Sequence, residues 1–233
     1  MSQGGPLWPI YDCTGCGRCT EYCVYGMPVG AMLFEARRKY PWAVAQKAAQ
    51  ELGDDETGDL ASELGDEESA ERRARGFSAN VGRESFRLLE PKSCFFLKSR
   101  GNDVPAVWEK VLAEKPNSRL IGKLSGKTWL LHESVWLSRH LGLAREVRTW
   151  VLSLRGDDIE IRWPFAQGRD CIDCGGEGAY GRIFPEQARR IALDFWERDQ
   201  HRAEGILCLS ARCARHLRSV VNVPVLSLME ESD

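Results

Sequence analysis

Long apolar runs are absent from this sequence. None approaches the roughly 18 residues that a membrane-spanning helix needs, so we expect no direct membrane span. An excess of charge of one sign is also absent, because 32 Lys and Arg face 34 Asp and Glu; the net charge of −2 argues against a nucleic-acid partner. The first residues show neither a signal-peptide pattern nor the glycine that myristoylation requires. No order of serine, histidine and aspartate indicates a hydrolase.

Cysteine, in contrast, is abundant, with nine residues in a chain of 233. Without an export signal, this number indicates metal or redox chemistry in a reducing compartment rather than disulfides. We therefore expect a cytoplasmic location, either free or on the cytoplasmic face of a membrane complex. A hydrophobic fraction of 43 % is sufficient for a substantial core.

Four of the cysteines form a C-x₂-C-x₂-C-x₃-C run near the start of the chain: Cys13, Cys16, Cys19 and Cys23. Three thiolates with this spacing wrap one corner of a [4Fe-4S] cluster, and in two-cluster ferredoxins the fourth thiolate binds the other cluster. Gly15 and Gly17 permit a tight loop whose backbone N–H groups turn toward the sulfides of a cluster. A zinc knuckle is the alternative, but zinc sites usually have two cysteine pairs with a longer spacer. The run predicts an iron–sulfur centre, completed either by Cys23 or by a remote residue such as Cys94.

The chain divides into three predicted parts. Residues 1–50 hold the cysteine run and a helix that begins at Pro28. Residues 51–83 are rich in Asp, Glu and Gly, which predicts a solvated linker or an acidic docking surface for a basic partner. Residues 84–233 form the third part.

In the third part, predicted helices alternate with predicted strands. The strands cover 127–132, 158–163, 205–209 and 223–226, and the helices cover 104–114, 135–152, 185–203 and 211–220. This alternation predicts an α/β fold with a largely parallel sheet and flanking helices.

A second cysteine group lies in this part: Cys171, Cys174, Cys208 and Cys213. Loops that follow neighbouring parallel strands converge at one edge of the sheet, so we expect these thiolates to form a second metal centre, iron–sulfur or zinc. Alternatively, Cys208 is simply a buried strand residue. His132 is a further candidate, as a ligand or a proton donor.

The segments around these cysteines resemble the CCG domain of heterodisulfide reductase and of the iron–sulfur subunits of glycerol-3-phosphate, lactate and glycolate dehydrogenases. The similar segments are 131–134 (Leu-His-Glu-Ser), 139–142, 173–178 (Asp-Cys-Gly-Gly-Glu-Gly), 184–186 and 213–217. Residues 90–94 resemble the end of a preceding CCG copy, and the opening cysteine run resembles the ferredoxin-like part of the same proteins. The resemblance covers about residues 12–40 and 86–229.

The chain departs from that family at three ligand positions, where Ser134, Asp173 and Ser210 stand in place of cysteine. Cys171 and Cys208 lie nearby as substitutes. A second ferredoxin-type run and most of the first CCG copy are also missing. These departures favour a centre used for electron transfer over one that cleaves a disulfide.

The resemblance implies an electron-transfer subunit of a heterodisulfide-reductase-like complex, with one or two [4Fe-4S] clusters and no catalytic residue of its own. Its partners are then redox proteins, a flavoprotein or another iron–sulfur subunit, in a hetero-oligomer. Two alternatives remain. One is a catalytic thiol–disulfide reductase, and the other is a structural subunit with a zinc or vestigial C-terminal site.

Overall fold

The structure is a computed structural model that describes residues 13–39, 91, 108, 112–113, 118–154, 156, 158–176 and 180–228. The predicted linker 51–83, Cys94 and most of the predicted helix 104–114 lie outside the described residues. Trp108 and Leu112 are described, and both are helical and buried. No helix among the described residues combines the length and apolarity needed to cross a membrane.

The described helices and strands follow one another in a regular order. They are α1 (Arg18–Glu21), α2 (Val29–Lys39), α3 (Ser118–Leu124), β1 (Lys127–His132), a π-helix (Trp136–His140), α4 (Ala144–Leu154), β2 (Ile159–Arg162), α5 (Tyr180–Ile183), α6 (Pro185–Asp199), β3 (Gly205–Cys208), α7 (Ala211–Val220) and β4 (Val225–Ser227). Short 3-10 turns cover Gly168–Asp170 and Gln200–Arg202.

The four strands form one parallel sheet in the order β2-β1-β3-β4. The predicted α/β class and the predicted parallel pairing are confirmed. In the register of the two central strands, Trp129 lies opposite Gly205. A Cβ atom at Gly205 would lie 2.7 Å from the Trp129 ring, so only glycine allows the indole to lie across β3.

Helices cover both faces of the sheet. Successive side chains of a strand point to opposite faces, so Trp129 and Leu131 of β1 pack with α3 and α4, whereas Leu130 packs with α6 and α7. Helix α6 begins with Pro185, whose fixed backbone angle suits a first turn, and it buries Ala188, Ala192 and Phe195 on one side. The result is a three-layer arrangement with one apolar core on each face.

Several predicted boundaries shift in the structure. The predicted helical pair over 135–152 is a π-helix followed by α4, which extends to Leu154. Helix α6 ends at Asp199, where a 3-10 turn replaces the predicted continuation to residue 203. The sequence patterns predict neither α3 nor the short α5.

The order of the strands creates a topological switch point between β1 and β3, called here the crevice. The chain leaves β1 on the α4 face toward β2, and it leaves β3 on the α7 face toward β4. The two connections diverge at the carboxyl ends of adjacent strands, which is where open α/β sheets bind ligands. His132 and Cys208 are the last residues of these strands and are partners in the register.

Candidate metal centres at the carboxyl edge of the sheet

Three metal-ligating side chains meet in this crevice: His132, Cys174 and Cys213, called here the buried triad. Their ligand atoms all lie within 4.8 Å of one another. Each side chain is withdrawn from solvent, with an exposed fraction of 1 % for His132 and 0 % for both cysteines. The sequence brought Cys174 and Cys213 into one predicted group; the fold adds His132 to them.

The sheet and α7 position two members of the triad. His132 ends β1, and its ring packs edge-on against Phe195 of α6, with ring centroids 4.8 Å apart. Cys213 lies in the first turn of α7, and its backbone N–H donates a hydrogen bond of 3.2 Å to the Ser210 hydroxyl, which caps that helix.

A glycine-rich loop positions Cys174. Asp173 accepts a hydrogen bond of 2.8 Å from the Gly175 N–H, which tightens the turn. Gly175 has a φ of 76°, and a Cβ atom there would lie 2.9 Å from the Ala188 backbone of α6. A Cβ atom at Gly176 would lie 2.5 Å from the Cβ atom of His216 in α7. The two glycines thus let the loop approach both helices and carry Cys174 into the crevice.

The electrostatics of the triad favour a thiolate. A hydrogen bond from the Cys213 thiol holds the pKa of Cys174 well below its ordinary value, and the His132 and His216 rings lower it further against the opposing effect of burial. Burial raises the pKa of Asp173 to about 6, and the charge of Cys174 adds to this rise. Burial and the charge of Cys174 thus both disfavour the charged form of the neighbouring Asp173 carboxyl.

The other two cysteines of the predicted group are buried close by but outside the triad. Cys208 lies on the same face of the sheet as His132, in the apolar cluster that includes Cys174 and Cys213. Cys171 packs against Val135 and Trp136, with Cys16 against the same cluster.

The serines at two expected ligand positions accept backbone hydrogen bonds at the starts of helices. The Ser134 hydroxyl accepts a hydrogen bond of 3.3 Å from the Trp136 N–H at the start of the π-helix, and Ser210 caps α7. Each hydroxyl accepts a hydrogen bond from a backbone N–H group of the first helical turn, as serine often does at the start of a helix.

The N-terminal cysteine run forms a loop whose sulfur atoms receive backbone hydrogen bonds. The Gly15 N–H donates to Cys13 Sγ and the Met27 N–H donates to Cys23 Sγ, each over 3.4 Å. The N–H groups thus turn toward sulfur at both ends of the run. The Cys19 side chain is exposed and the other three are partly exposed. Among the described residues, the triad remains the one set of three ligand atoms gathered within 4.8 Å.

The π-helix joins the cysteine loop to the α/β domain. The Arg139 guanidinium donates hydrogen bonds to the Cys16 carbonyl and, over 3.0 Å, to the Cys171 carbonyl. The His140 ring contacts the Gly15 carbonyl over 2.8 Å and stacks on Trp136. Thr14 lies near the Asp173 side chain, beside the triad, and lowers the pKa of that carboxyl. The two cysteine groups therefore share one edge of the sheet.

Arg139 and His140 fall within the CCG-like segment 139–142, but the sequence predicts no role for them because they have no characteristic spacing to the cysteines. Gly17 allows the His140 ring to approach the cysteine loop, because a Cβ atom at this residue would lie 2.8 Å from His140 Cε1. Its φ of 75° adds a second reason for glycine. A π-helix is frequent at functional sites, but its hydrogen-bond pattern is not readable from residue types.

Comparisons of the chain with family models, with curated proteins and with solved structures find no significant match.

Proposed function

We propose that this chain is an electron-transfer subunit of a hetero-oligomeric oxidoreductase, with one [4Fe-4S] cluster bound by Cys13, Cys16, Cys19 and Cys23. The observation that carries the proposal is the cysteine loop itself. It combines the ferredoxin spacing with backbone N–H donors to Cys13 and Cys23 and with left-handed glycines inside the run. The resemblance of the segments to heterodisulfide-reductase-like subunits supports the same class of protein.

The donor set fits such a cluster. Four cysteines supply four thiolates, and the N–H groups at Gly15 and Met27 offset part of the thiolate charge. When bound, the cluster supplies a centre that accepts and releases single electrons. Arg139 holds the loop against the sheet edge through the Cys16 carbonyl, which fixes the position of the ligands and places a cation beside them.

The surface around Cys19 and Cys23 suits a redox partner. Five large apolar side chains are exposed in this region: Tyr22, Val24, Tyr25, Met27 and Met32. Exposed apolar patches of this kind mark protein interaction sites, and Tyr and Met are enriched at them. A flavoprotein or a second iron–sulfur subunit that docks here would come close to the exposed Cys19.

The test is reduction of anaerobically purified full-length chain, followed by low-temperature EPR and iron analysis. We expect about four iron and four sulfide per chain and a signal that appears on one-electron reduction. Cys16→Ser should remove most of the iron and the signal, whereas Val24→Ser, in the same loop but 90 % exposed and without a ligand atom in this scheme, should keep both. Retention of the full signal in Cys16→Ser would refute the assignment.

A catalytic thiol–disulfide reductase is the second candidate, because Cys174 has a lowered pKa and contacts Cys213. In that case the Cys174 thiolate would attack a substrate disulfide, and Cys213 would then release the product as an internal disulfide. Both sulfur atoms are fully buried, however, and attack requires access. Turnover of a small disulfide with an artificial electron donor would favour this candidate. The electron-transfer function predicts none.

A further inference from the structure

The buried triad differs from the cysteine loop in its ligand types and in its compactness. It combines one imidazole with two thiols, drawn from β1, from the loop before α5 and from α7. We propose that His132, Cys174 and Cys213 bind a single Zn²⁺ ion, as a centre separate from any cluster in the cysteine loop.

The spacing of the ligand atoms suits one ion. Tetrahedral zinc holds its sulfur and nitrogen ligands about 3.5–3.8 Å from one another. The triad atoms lie within 4.8 Å, so closure around an ion requires movements of roughly 1 Å. In a four-iron cluster each thiolate binds a different iron, which sets the sulfur atoms further apart. The triad is therefore better matched to a mononuclear centre.

The charge of the donor set points to a divalent cation. Two thiolates and one neutral imidazole neutralise Zn²⁺ completely, which is what a site with almost no solvent exposure requires. Zinc accepts imidazole and thiolate together, whereas Mg²⁺ and Ca²⁺ select oxygen ligands. Cys208, although next to His132 in the register, adds a third negative charge and lies outside the triad. We therefore assign three protein ligands.

The position of the triad gives the ion a structural effect. It connects the end of β1, the first turn of α7 and the loop that holds Asp173 and Cys174. The Asp173 side chain of that loop also lies near Thr14 of the N-terminal run. Binding of the ion would thus fix the surface on which the cysteine loop rests. The proposal stands whether or not that loop binds iron.

The test uses Co²⁺, which replaces Zn²⁺ and reports its ligands through visible bands and a near-ultraviolet thiolate band. The background is the full-length chain with Cys13, Cys16, Cys19 and Cys23 replaced by Ser, so that the loop contributes no thiolate. We expect about one Co²⁺ per chain, displaced by Zn²⁺. His132→Ala, Cys174→Ala and Cys213→Ala should each weaken binding by at least about 100-fold, since even neighbours of metal ligands cost 10- to 100-fold.

Matched variants separate ligands from residues that are merely buried nearby. Cys208→Ala and Cys171→Ala remove buried thiols of the same region, and we expect both to keep the cobalt spectrum. His132→Cys restores a ligand atom; it should bind Co²⁺ with a stronger thiolate band even if His132→Ala unfolds. Absence of a stoichiometric Co²⁺ site in the background protein would overturn the proposal. So would a spectrum lost in Cys208→Ala, or one unchanged in His132→Cys. Iron analysis of the unmodified chain tests the cysteine loop separately.

Discussion

The cysteine loop and the buried triad are two proposed metal sites that are built in different ways. The loop takes all four thiolates from eleven consecutive residues, and its sulfur atoms are bonded by N–H groups two and four residues away. The triad takes its ligands from residues as far apart as His132 and Cys213 and buries them between two helices and the sheet. A site whose ligands are close in the sequence can be recognised from their spacing. A site whose ligands are far apart forms only after the strands have paired. Loss of a ligand from the loop should therefore leave the core intact, whereas loss of a triad ligand removes a side chain that is buried in the fold.

Removal of the triad metal should give the largest effect. A ligand present at 1,000 times its dissociation constant stabilises the native state by about 4 kcal/mol. For a chain of this size that corresponds to a fall in Tm of roughly 8–16 °C when a chelator removes zinc. Removal of iron from the loop should leave the Tm of the α/β domain nearly unchanged. Scanning calorimetry before and after each treatment measures both, and equal shifts would contradict the distinction.

Gly175→Ala should damage the triad without touching the loop. The alanine would have to adopt a φ of 76°, and its methyl group would lie 2.9 Å from the Ala188 backbone. Gly126→Ala is the matched control, since it has a φ of 73° with nothing within 4 Å of the added atom. Both substitutions strain the backbone to a similar degree, but only Gly175→Ala also overpacks its surroundings. We therefore expect Gly175→Ala to lower the free energy of unfolding, measured in urea, by roughly 1–3 kcal/mol more than Gly126→Ala. It should also weaken Co²⁺ binding, and equal costs in the two variants would contradict this packing role.

Arg139→Ala should release the loop from the sheet edge. It removes charge-assisted hydrogen bonds to the carbonyls of Cys16 and Cys171, which are worth roughly 1.5–3 kcal/mol. We expect iron to leave the loop at least about tenfold faster in a chelator assay, with the Co²⁺ spectrum of the triad unchanged. The control is Arg148→Ala, because Arg148 lies on α4 and its guanidinium is over the Trp163 ring rather than on the cysteine loop. Iron loss at the same rate in both variants would show that Arg139 does not hold the loop.

Ser210→Ala should have the smallest effect. The CCG resemblance places a cysteine ligand at this residue, whereas the structure shows a helix cap. Loss of the cap costs about 1 kcal/mol, or roughly 2–4 °C in Tm, and should leave Co²⁺ binding intact. If metal binding disappears in this variant, Ser210 belongs to the centre and the triad assignment is incomplete.

Much of the fold could be predicted from the sequence because its signals are local. The strands at 127–132 and 205–209 are short apolar runs, and α6 shows its apolar side at helical spacing. The parallel sheet follows from the alternation of such elements. The cysteine loop could also be predicted from the sequence, since its four cysteines are separated by only two or three residues.

The triad was only half predictable. Cys174 and Cys213 were grouped from the convergence of loops at one sheet edge, but a lone His132 carries no spacing signal. Its place depends on the β1–β3 register and on which face of β1 points toward α6. The same alternation places Cys208 in the apolar cluster of that face, and residue type alone does not distinguish a packed cysteine from a ligand.

The most direct test of the two-centre account is the iron, sulfide and zinc content of the full-length chain purified without oxygen. The account predicts about four iron, four sulfide and one zinc per chain, with zinc lost in His132→Ala and iron lost in Cys16→Ser. About eight iron and no zinc would contradict the mononuclear centre. Zinc without iron or sulfide would contradict the electron-transfer function.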